Sequence, residues 1–254
     1  MLVDSHCHLD FPELADQIDT VLERMTTNQV SHALCISVDL ENYPKVLALA
    51  QAHERLFASV GVHPDYPDVI EPTVDGLVEQ SAQVKVVAIG ETGLDYYRLT
   101  GELEWQRQRF RTHIQAARRC RKPLIVHTRA AAADTIRIMQ EEGADQVGGV
   151  MHCFTETWDV AKAALDLGFY ISFSGIVSFK SAKSLREVAL QVPANRILIE
   201  TDSPYLAPVP HRGKTNEPSF VRHVAQCLAD LRGQTLDQIA ATTTDNFNNL
   251  FKCL

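Results

Sequence analysis

The sequence follows one pattern eight times: a short apolar run with strand character, then a longer stretch of amphipathic character. Near-continuous apolar runs of this kind are typical of parallel strands buried on both faces, and the intervening stretches suit crossover helices. The eight runs cover residues 2–8, 32–38, 57–63, 86–92, 123–128, 148–154, 170–176 and 196–202. Eight such units predict an α/β fold of the TIM (β/α)8 barrel type rather than an open sheet.

The stretches between the runs indicate the helices and the domain organisation. Helical candidates cover residues 41–54, 102–121, 131–142, 156–167, 180–191 and 217–231, and a last helix near 235–250 follows the barrel as an extra element. No low-complexity tract or Gly/Ser linker divides the chain. Residues 1–254 are therefore expected to form a single domain, since this barrel usually takes about 250 residues.

Composition excludes several classes of protein. No apolar run reaches about 18 residues and no basic segment precedes an apolar stretch at the N-terminus, so neither a membrane span nor a secretory signal is predicted. Six scattered cysteines without a C-x-x-C pair indicate reduced thiols in a cytoplasmic protein. A net charge of −8 argues against electrostatic binding of nucleic acid by the protein surface as a whole. No obligate protein partner is indicated, and a monomer is expected.

Polar residues close most of the predicted strands. In an α/β barrel the C-terminal ends of all strands meet at one mouth, where active sites are built. The ligand-type residues at these positions are His6, His8, Glu91, His127, His152 and Asp202. Four histidines and two carboxylates exceed the needs of one tetrahedral ion, and they suit two divalent ions about 3.5–4 Å apart with a bridging carboxylate.

The remaining histidines and two cysteines fit other roles. His32, His53, His113 and His223 do not close strands, so they are predicted to be surface or packing residues. Cys7 and Cys153 adjoin predicted ligands, but strand alternation turns each to the opposite face. Both are expected to be small core residues.

Several segments together resemble one known family. The segments "DSHCHLD", "GVHP", "IGETGLDYYR", "PLIVHTR", "HCF" and "ETDSPYLAP…RGKTNEP" are similar, in this order, to those of the TatD family of metal-dependent hydrolases in the amidohydrolase superfamily. The resemblance covers essentially the whole chain. It implies a TIM barrel with a binuclear metal centre and a phosphodiesterase-type hydrolase that is often active as a deoxyribonuclease.

The resemblance also implies individual roles. It assigns one ion to His6, His8 and Asp202 and the other to His127 and His152, with Glu91 bridging them. His63 of "GVHP" matches a position that lines the site without being an obligatory ligand, and we predict it as a substrate-binding residue. This chain departs from the family pattern at Ala130, after the strand-five histidine, and at Thr155 and Glu156, after the strand-six histidine. Neither change removes a ligand, although Glu156 adds negative charge near the mouth.

The chemistry of the predicted ligands does not determine the identity of the metal ion, but it suggests catalytic roles. Nitrogen-rich ligation favours zinc or manganese over magnesium, whereas the family that the chain resembles includes nucleases that are assayed with magnesium. Asp202 is predicted to be the general base that accepts the proton of the attacking water, and Glu91 is predicted to bridge the ions.

Residues on the predicted mouth loops suggest substrate contacts. Arg129 and Arg212 are predicted to bind phosphate oxygens, whereas for Arg98 and Lys214 phosphate contact and salt bridging are equally indicated. Phe154 is a candidate for stacking on a base, with core packing the equal alternative. Tyr96 and Tyr97 are expected to be structural, and the basic stretch 107–123 is expected to be a solvated helix face.

Three functions remain in competition at this stage. The leading hypothesis is a deoxyribonuclease that uses two divalent ions, Zn, Mn or Mg, and acts on DNA from a 3′ end. The alternative is a metal-dependent ester or amide hydrolase acting on a lactone, an amide or an aminoacyl-tRNA, because fold does not determine substrate. A non-catalytic metal-binding barrel is the third.

Overall fold

A computed structural model describes residues 1–254 and contains the predicted barrel. Eight parallel strands pair in sequence order. They are β1 (Leu2–Cys7), β2 (Val30–Cys35), β3 (Leu56–Val60), β4 (Val86–Asp95), β5 (Leu124–Arg129), β6 (Gly149–Met151), β7 (Tyr170–Phe173) and β8 (Ile197–Ile199). The prediction of a TIM barrel is confirmed.

Helices surround the strands and one of them closes the barrel floor. They are α1 (Pro12–Ala15), α2 (Ile18–Thr27), α3 (Tyr43–Ala52), α4 (Val74–Ser81), α5 (Glu104–Cys120), α6 (Ala132–Glu141), α7 (Trp158–Asp166), α8 (Lys183–Gln191), α9 (Val221–Arg232) and α10 (Leu236–Phe251). The predicted extra C-terminal helix is α10, which begins with a capping box between Thr235 and Gln238. Phe247 and Phe251 of α10 pack into the apolar cluster inside the strands. No helix of the chain combines the length and the apolar character that crossing a membrane requires.

The first and last strands meet through a seam that depends on side chains. Near the mouth, the Asp202 amide donates to the His6 carbonyl at 2.9 Å and the His8 amide donates to the Ser203 carbonyl at 2.8 Å. Deeper in the barrel, the Asp4 carboxylate accepts hydrogen bonds from the Thr201 amide at 2.9 Å and the Thr201 hydroxyl at 2.5 Å. Burial raises the pKa of Asp4, and the Thr201 hydrogen bonds oppose that rise. The seam therefore holds residues 201–203 in register with β1.

Candidate metal centre

Seven predicted residues meet at the C-terminal ends of the strands, with Glu91 at the centre. One Glu91 oxygen, Oε1, lies 2.8 Å from His152 Nε2, 3.1 Å from His63 Nε2 and 3.3 Å from His127 Nδ1. The other oxygen, Oε2, lies 3.3 Å from His6 Nε2. Glu91 thus separates two groups of nitrogen ligands, as a bridging carboxylate would.

The second carboxylate belongs to the group on the Oε2 side. Asp202 Oδ1 lies 3.4 Å from His8 Nε2 and 3.6 Å from His6 Nε2. His6 and His8 share a face of β1 because side chains alternate along a strand. The His6 ring stacks on the His152 ring with centroids 3.8 Å apart, so the two groups are adjacent.

Local backbone geometry brings β4 and β5 close enough to build the cluster. Gly93 pairs with His127 in the β4–β5 register and has a φ of +129°. A Cβ atom at this position would lie only 2.0 Å from the His127 carbonyl oxygen. Glycine is therefore required where β4 passes the predicted ligand His127.

The donor set fits divalent metal ions. His6 Nε2 and His152 Nε2 are buried and have no hydrogen-bond partner, because the nearby carboxylate oxygens are not aligned for hydrogen bonding. An unsatisfied buried polar atom costs about 1–3 kcal/mol, and coordination of a cation would remove that cost. Buried imidazoles and carboxylates in one cluster are the ligands of zinc and similar transition metals.

The electrostatics of the cluster favour ionised carboxylates. Burial raises the pKa of Glu91, but the adjacent imidazoles, His152 foremost, outweigh it and hold that pKa well below its usual range. Burial also raises the pKa of Asp202, whereas its contact with His8 and nearby imidazole charges bring that pKa below its usual range. Burial lowers the pKa of His63, whereas the negative charge of Glu91 and a hydrogen bond to Asp65 raise it to about 9. The two carboxylates of the cluster therefore favour the ionised form that binds a metal ion.

Three further carboxylates, which the sequence analysis did not single out, contact the rear nitrogens of the imidazoles. Asp65 Oδ1 lies 2.5 Å from His63 Nδ1, Asp95 Oδ2 lies 3.1 Å from His127 Nε2, and Glu200 Oε1 lies 3.3 Å from His152 Nδ1. Such partners fix the tautomer and orientation of metal-binding histidines. Glu200 precedes Asp202 by two residues and Asp95 follows Glu91 by four within β4, so alternation in the sequence offered a signal for both; Asp65 lies in a loop without one.

A cavity of about 400 Å³ opens above the cluster. Arg129 lines the cavity, and its guanidinium carbon lies 4.0 Å from the centre of the Tyr97 ring, which does not itself line the cavity. Arg98, which also lines the cavity, binds Asp65 at 2.8 Å. Tyr205 also lines the cavity and is more than half exposed.

Two predicted substrate contacts lie elsewhere. Phe154 is 2% exposed and packs in the core, so its ring is not available to a base. Arg212 lies outside the cavity, where its guanidinium stacks over Phe179 and donates to the Ala207 carbonyl at 2.9 Å. Tyr97, expected to be structural, is 66% exposed and is the aromatic residue beside Arg129.

Chain geometry after β6 explains the position of a predicted core cysteine. β6 ends at Met151, and Cys153 adopts a φ of +41°, so strand alternation does not apply to it. Cys153 therefore borders the cavity, 3.2 Å from the Ser174 hydroxyl, which corrects the expectation of a core position. Cys7, in contrast, is buried in the core as expected. Of the two residues that depart from the family pattern after His152, Thr155 lines the cavity and Glu156 does not.

The basic stretch at 107–123 is largely neutralised within the fold. Its arginines bind carboxylates on neighbouring elements, as in the contacts of Arg111 with Glu141 and Glu142. Arg109 is buried, pairs with Glu71 and donates to the His63 carbonyl at 3.0 Å. Arg118 and Arg119 of the stretch are exposed, in keeping with the predicted solvated helix face, whereas Arg109 secures the segment that carries His63 and Glu71.

A barrel with this histidine and carboxylate cluster at its mouth is the arrangement of a metal-dependent hydrolase. The chain belongs to the TatD family: residues 3–252 match the family described as TatD related DNase. It is similar to the uncharacterized metal-dependent hydrolase YcfH of Escherichia coli (strain K12), with 48% identity over 98% of this chain and 95% of that protein. It is also 40% identical to the uncharacterized metal-dependent hydrolase YabD of Bacillus subtilis (strain 168), over 99% of both chains.

A solved structure supports the fold and the family. YjjV, a TatD homolog from Escherichia coli K12, superposes with a TM-score of 0.89 at 29% identity, covering 99% of this chain and 98% of that one. The predicted family is therefore confirmed by both sequence and architecture.

Proposed function

We propose that this metal-dependent hydrolase is a phosphodiesterase that cleaves DNA and releases nucleotides from a 3′ end. The observation that carries the proposal is the Glu91-centred cluster at the base of a cavity whose rim presents Arg129. Two divalent ions, Zn, Mn or Mg, would be held on the two sides of Glu91. His6, His8 and Asp202 would hold one ion, and His127 and His152 the other.

Asp202 and Glu91 have different roles in the proposed reaction. When bound, the divalent ions supply positive charge that polarises the attacked phosphoryl group and makes a water molecule more acidic. Asp202 faces the cavity as an ionised carboxylate, because its pKa lies below its usual range, and it can accept the proton of the attacking water. Glu91 stays unprotonated in the same way and holds the two groups of ligands together.

The charge of the cavity makes substrate binding depend on metal. Its lining contains four carboxylates, on Asp65, Glu91, Asp95 and Asp202, and the guanidinium groups of two arginines. Two divalent cations would add four positive charges to this lining and favour the binding of a phosphodiester. Affinity for a polyanion is therefore expected to be higher in the metal-loaded protein than in the metal-free protein.

The shape of the cavity suits the end of a single strand. A volume of about 400 Å³ is at the small end of ligand pockets and admits a nucleotide rather than a double helix. Tyr205 lines the cavity and is more than half exposed, so its ring offers a face on which a base can stack, and Arg129 can reach a phosphate oxygen.

The activity test compares single-stranded and duplex oligonucleotides carrying a label at either end. Metal-free protein is reloaded with Mg²⁺, Mn²⁺ or Zn²⁺, and a 5′-labelled single strand should yield a ladder of shortened products. Asp202→Ala should lower the rate by about 10² or more. If wild-type cleavage does not exceed that of Asp202→Ala with any of the three metals, the nuclease proposal fails. Hydrolysis confined to neutral esters, lactones or aminoacyl esters would favour the carbonyl hydrolase instead.

A matched arginine pair tests the phosphate contact. Arg129 lines the cavity and Arg212 does not, so only Arg129→Ala should raise the KM for the oligonucleotide. Loss of a charge-assisted contact to phosphate corresponds to a change of about tenfold. Equal effects of Arg129→Ala and Arg212→Ala would contradict the assignment, as would an equal loss on a small neutral ester.

A further inference from the structure

We infer that His63 is a third imidazole ligand of the ion held by His127 and His152, and that Asp65 orients its ring for this role. The inference rests on the two-ion centre of the proposed function. It changes His63 from a residue that contacts substrate into a member of the metal site itself.

The position of the ring is the first argument. His63 Nε2 lies 3.1 Å from Glu91 Oε1, between the corresponding distances of 2.8 Å for His152 and 3.3 Å for His127. The candidate ligand atoms of His63, Glu91 and His127 all lie within 4.8 Å of one another. An ion that contacts Glu91 Oε1 and His127 therefore has the His63 nitrogen within the same small volume.

The second argument is the carboxylate behind the ring. Asp65 Oδ1 lies 2.5 Å from His63 Nδ1, and the Asp65 amide donates to the same nitrogen at 3.2 Å. Asp65 thus occupies the Nδ1 side of the ring, and Nε2 is the nitrogen that faces Glu91 and can bind an ion. His127 and His152 each have the same kind of partner, in Asp95 and Glu200. All three imidazoles on the Oε1 side thus share the carboxylate–histidine arrangement of metal ligands.

The third argument is that the segment carrying His63 is immobilised from several sides. The Val62 amide donates to His113 Nε2 at 3.0 Å, and Arg109 donates to the His63 carbonyl at 3.0 Å. Arg98 binds the second oxygen of Asp65 at 2.8 Å. A ligand that is already ordered loses little conformational entropy when an ion binds, and these contacts supply that order.

The test observes coordination directly. Protein labelled with ¹⁵N in its histidine rings is stripped of metal and titrated with ¹¹³Cd²⁺. His63 Nε2 should acquire a one-bond coupling to ¹¹³Cd, with its resonance assigned by its loss in His63→Gln. Calorimetry should show that His63→Gln lowers the affinity for one of the two ions about tenfold or more and leaves the affinity for the other unchanged. His211→Gln, on a loop outside the cavity, is the matched control and should bind both ions as wild type does.

The outcomes separate the inference from the function on which it rests. A His63 resonance without ¹¹³Cd coupling, together with unchanged affinities in His63→Gln, would overturn the inference and return His63 to a substrate contact. Binding of only one Cd²⁺ by the wild type would refute the two-ion centre itself. If His63→Gln fails to fold, Asp65→Asn replaces it, and we expect this variant to lower the affinity for the same ion about 10-fold to 100-fold. DNA cleavage enters none of these readouts.

Discussion

The carboxylate of Asp95 determines which nitrogen of His127 is free to bind metal. Its Oδ1 accepts hydrogen bonds from the amides of Tyr97 at 2.9 Å and Arg98 at 3.0 Å, and its Oδ2 faces His127 Nε2. In Asp95→Asn the two amides require the carbonyl oxygen at the Oδ1 position. The new NH₂ group then donates to His127 Nε2, and the ring proton has to move to Nδ1, the nitrogen that faces Glu91.

The size of the effect follows from that change of tautomer. A protonated nitrogen cannot coordinate a metal, and reversing the amide would give up hydrogen bonds worth about 0.5–1.5 kcal/mol each. Loss of an outer-shell partner typically lowers metal affinity about 10-fold to 100-fold, equivalent to about 1.4–2.8 kcal/mol. Because aspartate and asparagine have the same shape, Asp95→Asn should lower the affinity for one ion by this amount with little change in the melting temperature.

Glu200→Gln provides the matched control, because the same chemical change there preserves the tautomer. A single oxygen, Oε1, accepts from both the Cys153 amide at 2.7 Å and His152 Nδ1 at 3.3 Å, and Oε2 has no partner. The glutamine carbonyl can replace Oε1 and keep both contacts. We therefore expect a much smaller loss of metal affinity than in Asp95→Asn.

Titration calorimetry with Zn²⁺ on the two metal-free variants, beside thermal unfolding, measures the difference. Equal losses of affinity in Asp95→Asn and Glu200→Gln would refute the tautomer argument. Wild-type affinity for both ions in Asp95→Asn would refute it as well.

Three further predictions concern the seam, the strand contact and the charge of the cluster. Asp4→Ala deprives the Thr201 amide and hydroxyl of their acceptor and should lower the free energy of unfolding by about 3 kcal/mol in urea; an unchanged midpoint would contradict the seam. Gly93→Ala places a Cβ against the His127 carbonyl and should lower both the melting temperature and the metal affinity, whereas wild-type values would show that β4 can shift freely. His63 has a pKa of about 9 in the metal-free fold against 6.5 ordinarily, so its contribution to stability is complete below pH 6.5 and is lost as the pH rises through 9. Thermal unfolding of metal-free protein should show that decline and metal-loaded protein should not; a flat metal-free profile would contradict it.

The sequence was sufficient to predict the barrel and the cluster because both follow from short-range patterns. Apolar runs alternating with helices predict parallel strands, and strand order then brings distant strand ends to one mouth. His6 and Asp202 are far apart in the chain, yet their side chains lie 3.6 Å apart for this reason.

Predictions based on the alternation of side chains between the two faces of a strand were wrong where the strand ended earlier than its apolar run. Phe154 follows His152 by two residues and would face the cavity in a continuous strand. Because β6 ends at Met151 and the chain turns at Cys153, Phe154 enters the core and Cys153 borders the cavity. Apolar composition does not distinguish the end of a strand from the start of a buried turn.

Contacts between residues that are far apart in the chain could not be predicted from local sequence patterns. Arg129 is the last residue of β5 and lines the cavity, whereas Arg212 lies on the long loop after β8 and stacks on Phe179 away from the cavity. The partner of Asp4 is Thr201, 197 residues away in the chain, and only the closed barrel brings the two together. These positions depend on tertiary packing rather than on periodicity.

The most direct test of the central claim is an anomalous difference map from crystals of the protein loaded with Zn²⁺, recorded at the zinc absorption edge. The predicted result is two peaks on opposite sides of Glu91, one in contact with His6, His8 and Asp202 and the other in contact with His127 and His152. A single peak, or peaks that do not contact Glu91, would contradict the two-ion centre.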